Sequence, residues 1–249
     1  MTQHIVLVPG FFGFVNFGRL VYFAHVHELL EREFQRHGLK VQIHRVRTGP
    51  VASLRRRARD LLEVISNGVP ADEPLHVIGH SSGGLDARLL ACPGVDLGAA
   101  EVEPVAARIR SVITICTPHR GSPLSDHFVG LIGEPLLRSL SLLTVIALRE
   151  GRLPARLAFR LGRALIGERL LPETPVHVVL ETLEHEAAAE IERTQGSDPD
   201  AKVSVAEFMK EVRSEAHLIP QLMPAACDLF NAAVTDRPET FYGCVVARA

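Results

Sequence analysis

The stretch that decides the fold is residues 74–90, PLHVIGHSSGGLDARLL. A short apolar run at 75–79 is followed by small residues and then by a run with helical periodicity. The pattern G-x-S-x-G covers residues 79–83 and places a serine where a strand becomes a helix. A sharp turn there would expose a serine nucleophile, whereas the alternative interpretation is a flexible, solvated loop.

The residues around Ser81 favour the sharp turn. In a strand–turn–helix elbow, the serine hydroxyl is lifted above the edge of the sheet. Gly79 and Gly83 suit this geometry because a Cβ at either position would clash in so tight a turn. The Ser82 amide then lies at the helix N-terminus and points at a developing oxyanion. The sequence therefore predicts Ser81 as the catalytic nucleophile.

A second oxyanion donor is expected from the loop after an early strand. The stretch VLVPGFFGF, residues 6–14, supplies such a loop. Gly10 lets the backbone turn, and the amide of Phe11 is the candidate donor. A plain Pro-Gly turn is the alternative for residues 9–13. Together, the Phe11 and Ser82 amides form the predicted oxyanion hole.

Short runs rich in Val and Ile alternate with helical patterns along the chain, which predicts a mostly parallel sheet flanked by helices. The predicted helix at 53–66 has one apolar face and carries a set of arginines that we predict to lie on its solvated face. The predicted strands are residues 4–8, 41–46, 75–79, 111–116 and 241–246, the other predicted helix is 20–36, and the arginines are Arg55, Arg56, Arg57 and Arg59.

Residues 125–215 break this alternation. They are dominated by Leu, Ile, Val, Ala and Arg, with Pro and Gly between them. The stretch 128–148 has the length of a membrane span, but Glu134 and Arg138 within it argue against one. We expect amphipathic helices that form a cap or lid and make transient contact with a lipid interface.

Composition excludes several classes of protein. With 249 residues, 47% of them hydrophobic, the chain can bury a sizeable core. A formal net charge of -2 gives no footprint for nucleic acid. The four cysteines form no C-x-x-C pair, so no metal, cofactor or disulfide framework is predicted; Cys116 and Cys244 lie in apolar runs and are expected to be buried thiols. No signal peptide is evident, which favours the cytoplasm unless the chain begins at a mature N-terminus.

Five stretches, in order, resemble the bacterial true lipases of the α/β-hydrolase fold. LHVIGHSSGGLDARLL is similar to their nucleophile elbow, VLVPGFFGF to their oxyanion loop, and SVITICTPHRGSPLSDHF to a strand followed by T-P-H-R-G-S. LIPQLMPAACDLFNAAV and ETFYGCVVARA resemble a late helix and the strand after it. The resemblance implies a single α/β-hydrolase domain over 1–249 with the cap inserted at 125–215.

The resemblance also qualifies individual residues. Pro9 stands where the family usually has His; because the oxyanion donor is a backbone amide, the exchange need not abolish function but would loosen the loop. His119 and Arg120 in the T-P-H-R-G-S block are expected to shape the backbone beside the pocket rather than to react. His80 is expected to pack beside the nucleophile. Phe11, Phe12, Phe14 and Phe17 could line an acyl pocket or belong to the core.

The partners of Ser81 are not evident in the sequence. Serine catalysis of this type needs a histidine and an acid, which in the lipases follow the strand that ETFYGCVVARA resembles. No histidine follows His217 and no acid follows Glu239. Three explanations are open. The partners lie on a missing C-terminal segment or a second chain, His217 substitutes with Asp198 or Asp200, or the protein binds without turnover.

The sequence thus predicts a serine-dependent carboxylic ester hydrolase, a lipase or esterase, that acts on hydrophobic acyl esters through an acyl-Ser81 intermediate. An acyltransferase or thioesterase using the same serine is the alternative among enzymes. A catalytically inactive lipid-binding or scaffold protein is the alternative outside them. The calcium site of the family lies around the region that is absent here, so no calcium ligand is assigned.

Overall fold

The computed structural model describes residues 2–11, 23–49, 51–123 and 218–247, with isolated positions at 125, 157, 182, 185, 186 and 189. Within these ranges, five strands form one parallel sheet in the order β2-β1-β3-β4-β5. The strands are β1 (Thr2–Val8), β2 (Lys40–Arg45), β3 (Leu75–His80), β4 (Ile109–Ile115) and β5 (Phe241–Val245).

Helices connect and cover these strands. They are α1 (Ala24–Arg36), α2 (Leu54–Gly68), α3 (Ser82–Ala91), α4 (Val102–Ala106), α5 (Leu218–Gln221) and α6 (Pro224–Ala233). The predicted mostly parallel sheet flanked by helices is confirmed. The predicted cap at 125–215 falls outside the described residues apart from the isolated positions. No helix in the described ranges is long and apolar enough to cross a membrane.

Strand β1 shows how the sheet is covered on both faces. Successive side chains of a strand point to opposite faces, so a strand buried on both sides is apolar throughout. Val6 and Val8 pack in the cluster that contains the apolar faces of α2 and α3. Ile5 and Leu7 pack on the opposite face, against Phe23 and the residues of α1. The carboxyl end of β1 is therefore held by packing on both sides.

Helix α2 begins where the sequence predicts, because the Ser53 hydroxyl caps it and accepts a hydrogen bond from the Arg56 amide at 3.3 Å. Its apolar face is buried as predicted. The prediction that its arginines are solvated is wrong for Arg57, whose side chain is completely buried. Helical spacing explains the error, since residue 57 shares a face with Leu54 and Leu61.

The exposed thiols correct a second prediction. Cys116 and Cys244 are exposed, whereas Cys92 and Cys227 are buried. Cys116 follows the last residue of β4, and Cys244 lies on β5, at the edge of the described sheet. Phe241 on the same strand is 66% exposed. An apolar run on an edge strand has a neighbouring strand on one side only, so it is less covered than a run in the centre of the sheet.

Candidate active site

Ser81 lies in a sharp turn between β3 and α3. Its backbone has φ 53° and ψ −128°, a conformation that residues with a Cβ rarely adopt. The turn is anchored on both sides: the Ser81 amide donates to the Ile115 carbonyl at 2.8 Å, and its own carbonyl accepts from the Gly84 amide at 3.1 Å. A strained residue held by its surroundings is typical of a functional position.

The glycines around Ser81 allow backbone to approach backbone. A methyl group on Gly79 would overlap the Gly83 carbonyl, and one on Gly83 would overlap the Val8 carbonyl on the neighbouring strand. Gly84 is restricted in the same way by the Thr117 hydroxyl, a constraint that the sequence analysis did not identify. The helix after the serine can therefore begin directly against β1 and the segment after β4.

The loop after β1 lies against the serine. A methyl group on Gly10 would come within 2.6 Å of Ser81 Cβ and 3.1 Å of Ser81 Oγ. The side chain of Phe11, the next residue of the loop, packs against an apolar cluster. The cluster contains Leu54, Leu85, Leu218, Leu222 and Cys227. The structure thus brings Gly10 and Ser81 together at the carboxyl edge of the sheet and sets apolar side chains beside them.

Ser82 is the first residue of α3 and is completely buried. Its hydroxyl makes no hydrogen bond to any residue of the described ranges. The amide groups in the first turn of a helix have no partner within the helix, and the helix dipole favours negative charge there. The position therefore suits the predicted role of the Ser82 amide as a donor to an oxyanion. The Ser82 hydroxyl is not needed for that role.

Arg57 is a site residue that the sequence analysis missed. Its guanidinium donates from Nη2 to the Pro9 carbonyl at 2.6 Å and to the Gly10 carbonyl at 3.5 Å. Nη1 donates to the Gly49 carbonyl at 3.1 Å, and Nε donates to Asp86 Oδ2 at 2.8 Å. The signal was present in the sequence, since residue 57 falls on the apolar face of α2.

Asp86 completes this buried ion pair from α3. Both partners are fully buried, and Asp86 Oδ1 makes no hydrogen bond within the described part of the chain. Burial raises the pKa of Asp86 to about 6, although the positive charge of Arg57 acts in the opposite direction. Among the described charged groups, Asp60 adds a further, smaller contribution that raises this pKa.

Two described histidines near the turn in sequence, His80 and His119, are partly buried. His119 hydrogen-bonds Thr114 Oγ1 through Nε2 at 3.1 Å and Arg88 through Nδ1 at 3.2 Å. The His119 carbonyl accepts from Asn231 Nδ2 at 2.7 Å. This network joins β4, α3 and α6. His80 is half-buried, and burial lowers its pKa.

Several predicted site residues fall outside the described ranges. They are Phe12, Phe14, Phe17, Asp198, Asp200 and His217. No group of three or more His, Cys, Asp or Glu side chains in the described ranges is arranged to hold a metal ion.

Comparisons with known proteins agree with the architecture. No protein-family model and no curated protein matches the chain. Among solved structures, a metagenomic carboxyl esterase is 18% identical with a TM-score of 0.50, over 99% of this chain and 50% of its own. A Bacillus licheniformis lipase in its propeptide form is 19% identical with a TM-score of 0.36, over 64% of this chain and 32% of its own. An inhibited esterase B from Lactobacillus rhamnosis is 16% identical with a TM-score of 0.33, over 99% and 65%.

The likeness to the metagenomic esterase establishes the fold. The chain has an α/β-hydrolase fold, with a mostly parallel sheet flanked by helices. It spans half the length of that esterase. In this fold the nucleophile follows a central strand, where a sharp turn leads into a helix. Ser81 occupies that position between β3 and α3.

Proposed function

We propose that this protein is a serine-dependent carboxylic ester hydrolase in which Ser81 is the nucleophile. One observation carries the proposal: Ser81 adopts a positive φ at the strand–helix turn while the Gly10 loop lies against its side chain. A solvated loop would not hold a serine in this strained conformation with the Gly10 backbone against its side chain. The metagenomic carboxyl esterase of similar fold supports this class of reaction.

In the proposed reaction, Ser81 Oγ attacks the ester carbonyl carbon and passes its proton to a base. The tetrahedral oxyanion accepts hydrogen bonds from the Phe11 and Ser82 amides. Collapse of this intermediate breaks the bond to the alcohol oxygen, which leaves with the proton, and the acyl group remains on Ser81. Water then attacks the acyl-enzyme through the same base, which releases the acid and restores the hydroxyl.

The proposed substrates are esters with a hydrophobic acyl chain. The side chains that flank the Gly10 loop are apolar, and Phe11 packs among them. An acyl chain placed against the partly exposed side chain of Phe11 would leave water for an apolar surface, at about 25 cal/mol per Å² buried. The cap at 125–215 is proposed to cover the same side of the site.

Two sources can supply the base. One is His217 with Asp198 or Asp200, and the other is a histidine and an acid on another segment or chain. The His217→Ala variant distinguishes them: turnover falls by several orders of magnitude in the first arrangement and is unchanged in the second. Measurement of p-nitrophenyl ester hydrolysis, with the fold checked by circular dichroism, decides between the two.

The two adjacent serines provide a matched pair of variants. Ser81→Ala removes the nucleophile and should abolish p-nitrophenyl ester turnover while the fold is retained. Ser82→Ala removes a buried hydroxyl without a partner among the described residues but keeps the amide, so turnover should stay near that of the wild type. Removal of a triad member lowers turnover by far more than tenfold. If the Ser81→Ala variant retains more than about a tenth of the wild-type turnover, Ser81 is not the nucleophile.

A further inference from the structure

We propose that Arg57 is a positioning residue that fixes the conformation of the oxyanion loop, residues 9–11, relative to the elbow helix α3. This inference deepens the proposed function, because it concerns the same site. It assigns the buried ion pair between Arg57 and Asp86 a task in catalysis rather than in folding alone.

Burial of the two charges costs free energy, because both groups leave water. Arg57 and Asp86 are both fully buried, and apolar residues of similar volume often replace such a pair without loss of stability. The neighbours of Arg57 on the buried face of α2 are Leu54, Ala58 and Leu61. An apolar residue at position 57 would continue that face. Packing therefore does not account for a guanidinium there.

The Arg57 guanidinium connects three separate segments of the chain. It contacts the loop after β1 through the Pro9 and Gly10 carbonyls, helix α3 through Asp86, and the segment after β2 through the Gly49 carbonyl. The planar fork of arginine presents several donors in fixed directions, which lysine does not. One side chain thereby ties the predicted oxyanion loop to the helix that begins beside the nucleophile.

Arg57 binds the carbonyl groups on either side of the Gly10 Cα atom, those of Pro9 and of Gly10 itself. Glycine has the greatest backbone freedom of any residue, whereas the ring of Pro9 already fixes its own φ. Peptide groups are planar, and in a trans peptide the carbonyl and the following N–H point in opposite directions. A hydrogen bond to the Gly10 carbonyl therefore orients the Phe11 N–H, and the bond to the Pro9 carbonyl fixes the peptide group before Gly10. Arg57 thus restricts both dihedral angles of the loop's most flexible residue.

Arg57 also contacts Pro9, which stands where the lipases usually have His. The sequence predicts that this proline loosens the loop. In the structure the Pro9 carbonyl receives the shortest of the guanidinium's hydrogen bonds to backbone, at 2.6 Å. A rigid residue and a buried donor together hold the loop from this side.

The experiment replaces the ion pair by apolar residues. A single Arg57→Met change leaves Asp86 buried without its partner and can prevent folding. The double variant Arg57→Met, Asp86→Leu removes both charges and is expected to fold. Arg59→Met is the matched control. Arg59 also lies on α2 and also donates to a backbone carbonyl, but that carbonyl belongs to Leu97, which is not part of the loop.

The proposal predicts that the double variant loses about 10²- to 10³-fold in kcat, as expected for one oxyanion donor, with KM little changed. Arg59→Met should keep the wild-type kcat. Crystal structures of the wild type and the double variant should differ in the peptide planes on either side of Gly10. Arg57→Lys, which keeps the charge but not the fork, should fall between the wild type and the double variant in kcat.

A folded double variant with wild-type kcat, or with unchanged peptide planes at Gly10, would overturn the proposal. Failure of the proposed function is a separate result: the wild type would then hydrolyse no ester, and the crystal structures alone would judge the role of Arg57 in the loop.

Discussion

Replacement of Gly10 by alanine tests the contact between the oxyanion loop and the nucleophile. The added methyl group would lie 2.6 Å from Ser81 Cβ, 2.9 Å from the His80 carbonyl oxygen and 3.1 Å from Ser81 Oγ. Ordinary contacts of a Cβ begin near 3.4 Å, so the loop or the serine must move by about 1 Å. Both atoms nearest to the methyl group belong to the turn that holds the nucleophile.

The expected cost has two parts. Overpacking of this kind lowers the free energy of unfolding by about 1–3 kcal/mol. A misplacement of about 1 Å at a reacting group lowers kcat by about 10²-fold, which corresponds to about 2.7 kcal/mol in the activation free energy. The assay is p-nitrophenyl ester hydrolysis with kcat and KM determined separately, together with urea denaturation.

Gly38→Ala is the control for the loss of stability. Gly38 has φ +67°, and a methyl group there meets no atom within 4 Å. Its positive φ makes alanine unfavourable by about 1–2 kcal/mol, yet the position follows α1 and lies apart from the loop. The control should lose stability and keep its kcat. A Gly10→Ala enzyme with wild-type kcat would refute the placement of the loop against Ser81.

Two further predictions concern the groups around the site. Because the pKa of Asp86 is raised to about 6 in the folded protein, the native state binds this proton more tightly than the unfolded chain does. The stabilising contribution is complete below about pH 4 and is lost as the pH rises through about 6, a change of about 3 kcal/mol in the free energy of unfolding. The double variant Arg57→Met, Asp86→Leu should lack this change, and equal pH slopes for the wild type and the double variant in urea denaturation from pH 4 to 7 would contradict the assignment. His119→Ala removes the bonds to Thr114 and Arg88, so it should lower the free energy of unfolding by about 1–3 kcal/mol. A fluorophosphonate probe should still label Ser81 in that variant, and loss of labelling in a folded protein would show that His119 takes part in the reaction.

Much of the fold follows from local sequence patterns. The five strands were predictable because a parallel sheet buried on both faces needs continuous apolar runs, as in β1. The turn at Ser81 was predictable because Gly79 and Gly83 leave room that other residues would fill. The Ser53 cap and the apolar face of α2 are likewise local features.

Features that depend on distant contacts could not be predicted in this way. The helical spacing places Arg57 on the apolar face of α2, but only tertiary structure shows that its guanidinium meets Pro9 and Asp86. The exposure of Cys244 depends on β5 forming the edge of the described sheet, and that of Cys116 on its position just beyond the end of β4. Gly84 is restricted by Thr117, a residue more than thirty positions away, which no local pattern shows.

The most direct test of the central claim is to map where a fluorophosphonate probe bonds to the full chain, using mass spectrometry of the digested protein. Ser111 provides an internal control, because its hydroxyl lies 2.8 Å from His76 Nδ1 without the strained turn or the adjacent loop. The account predicts a single adduct on Ser81, which is lost in Ser81→Ala and kept in Ser82→Ala. An adduct on Ser111 or Ser82, or labelling that persists after Ser81 is replaced, would contradict it.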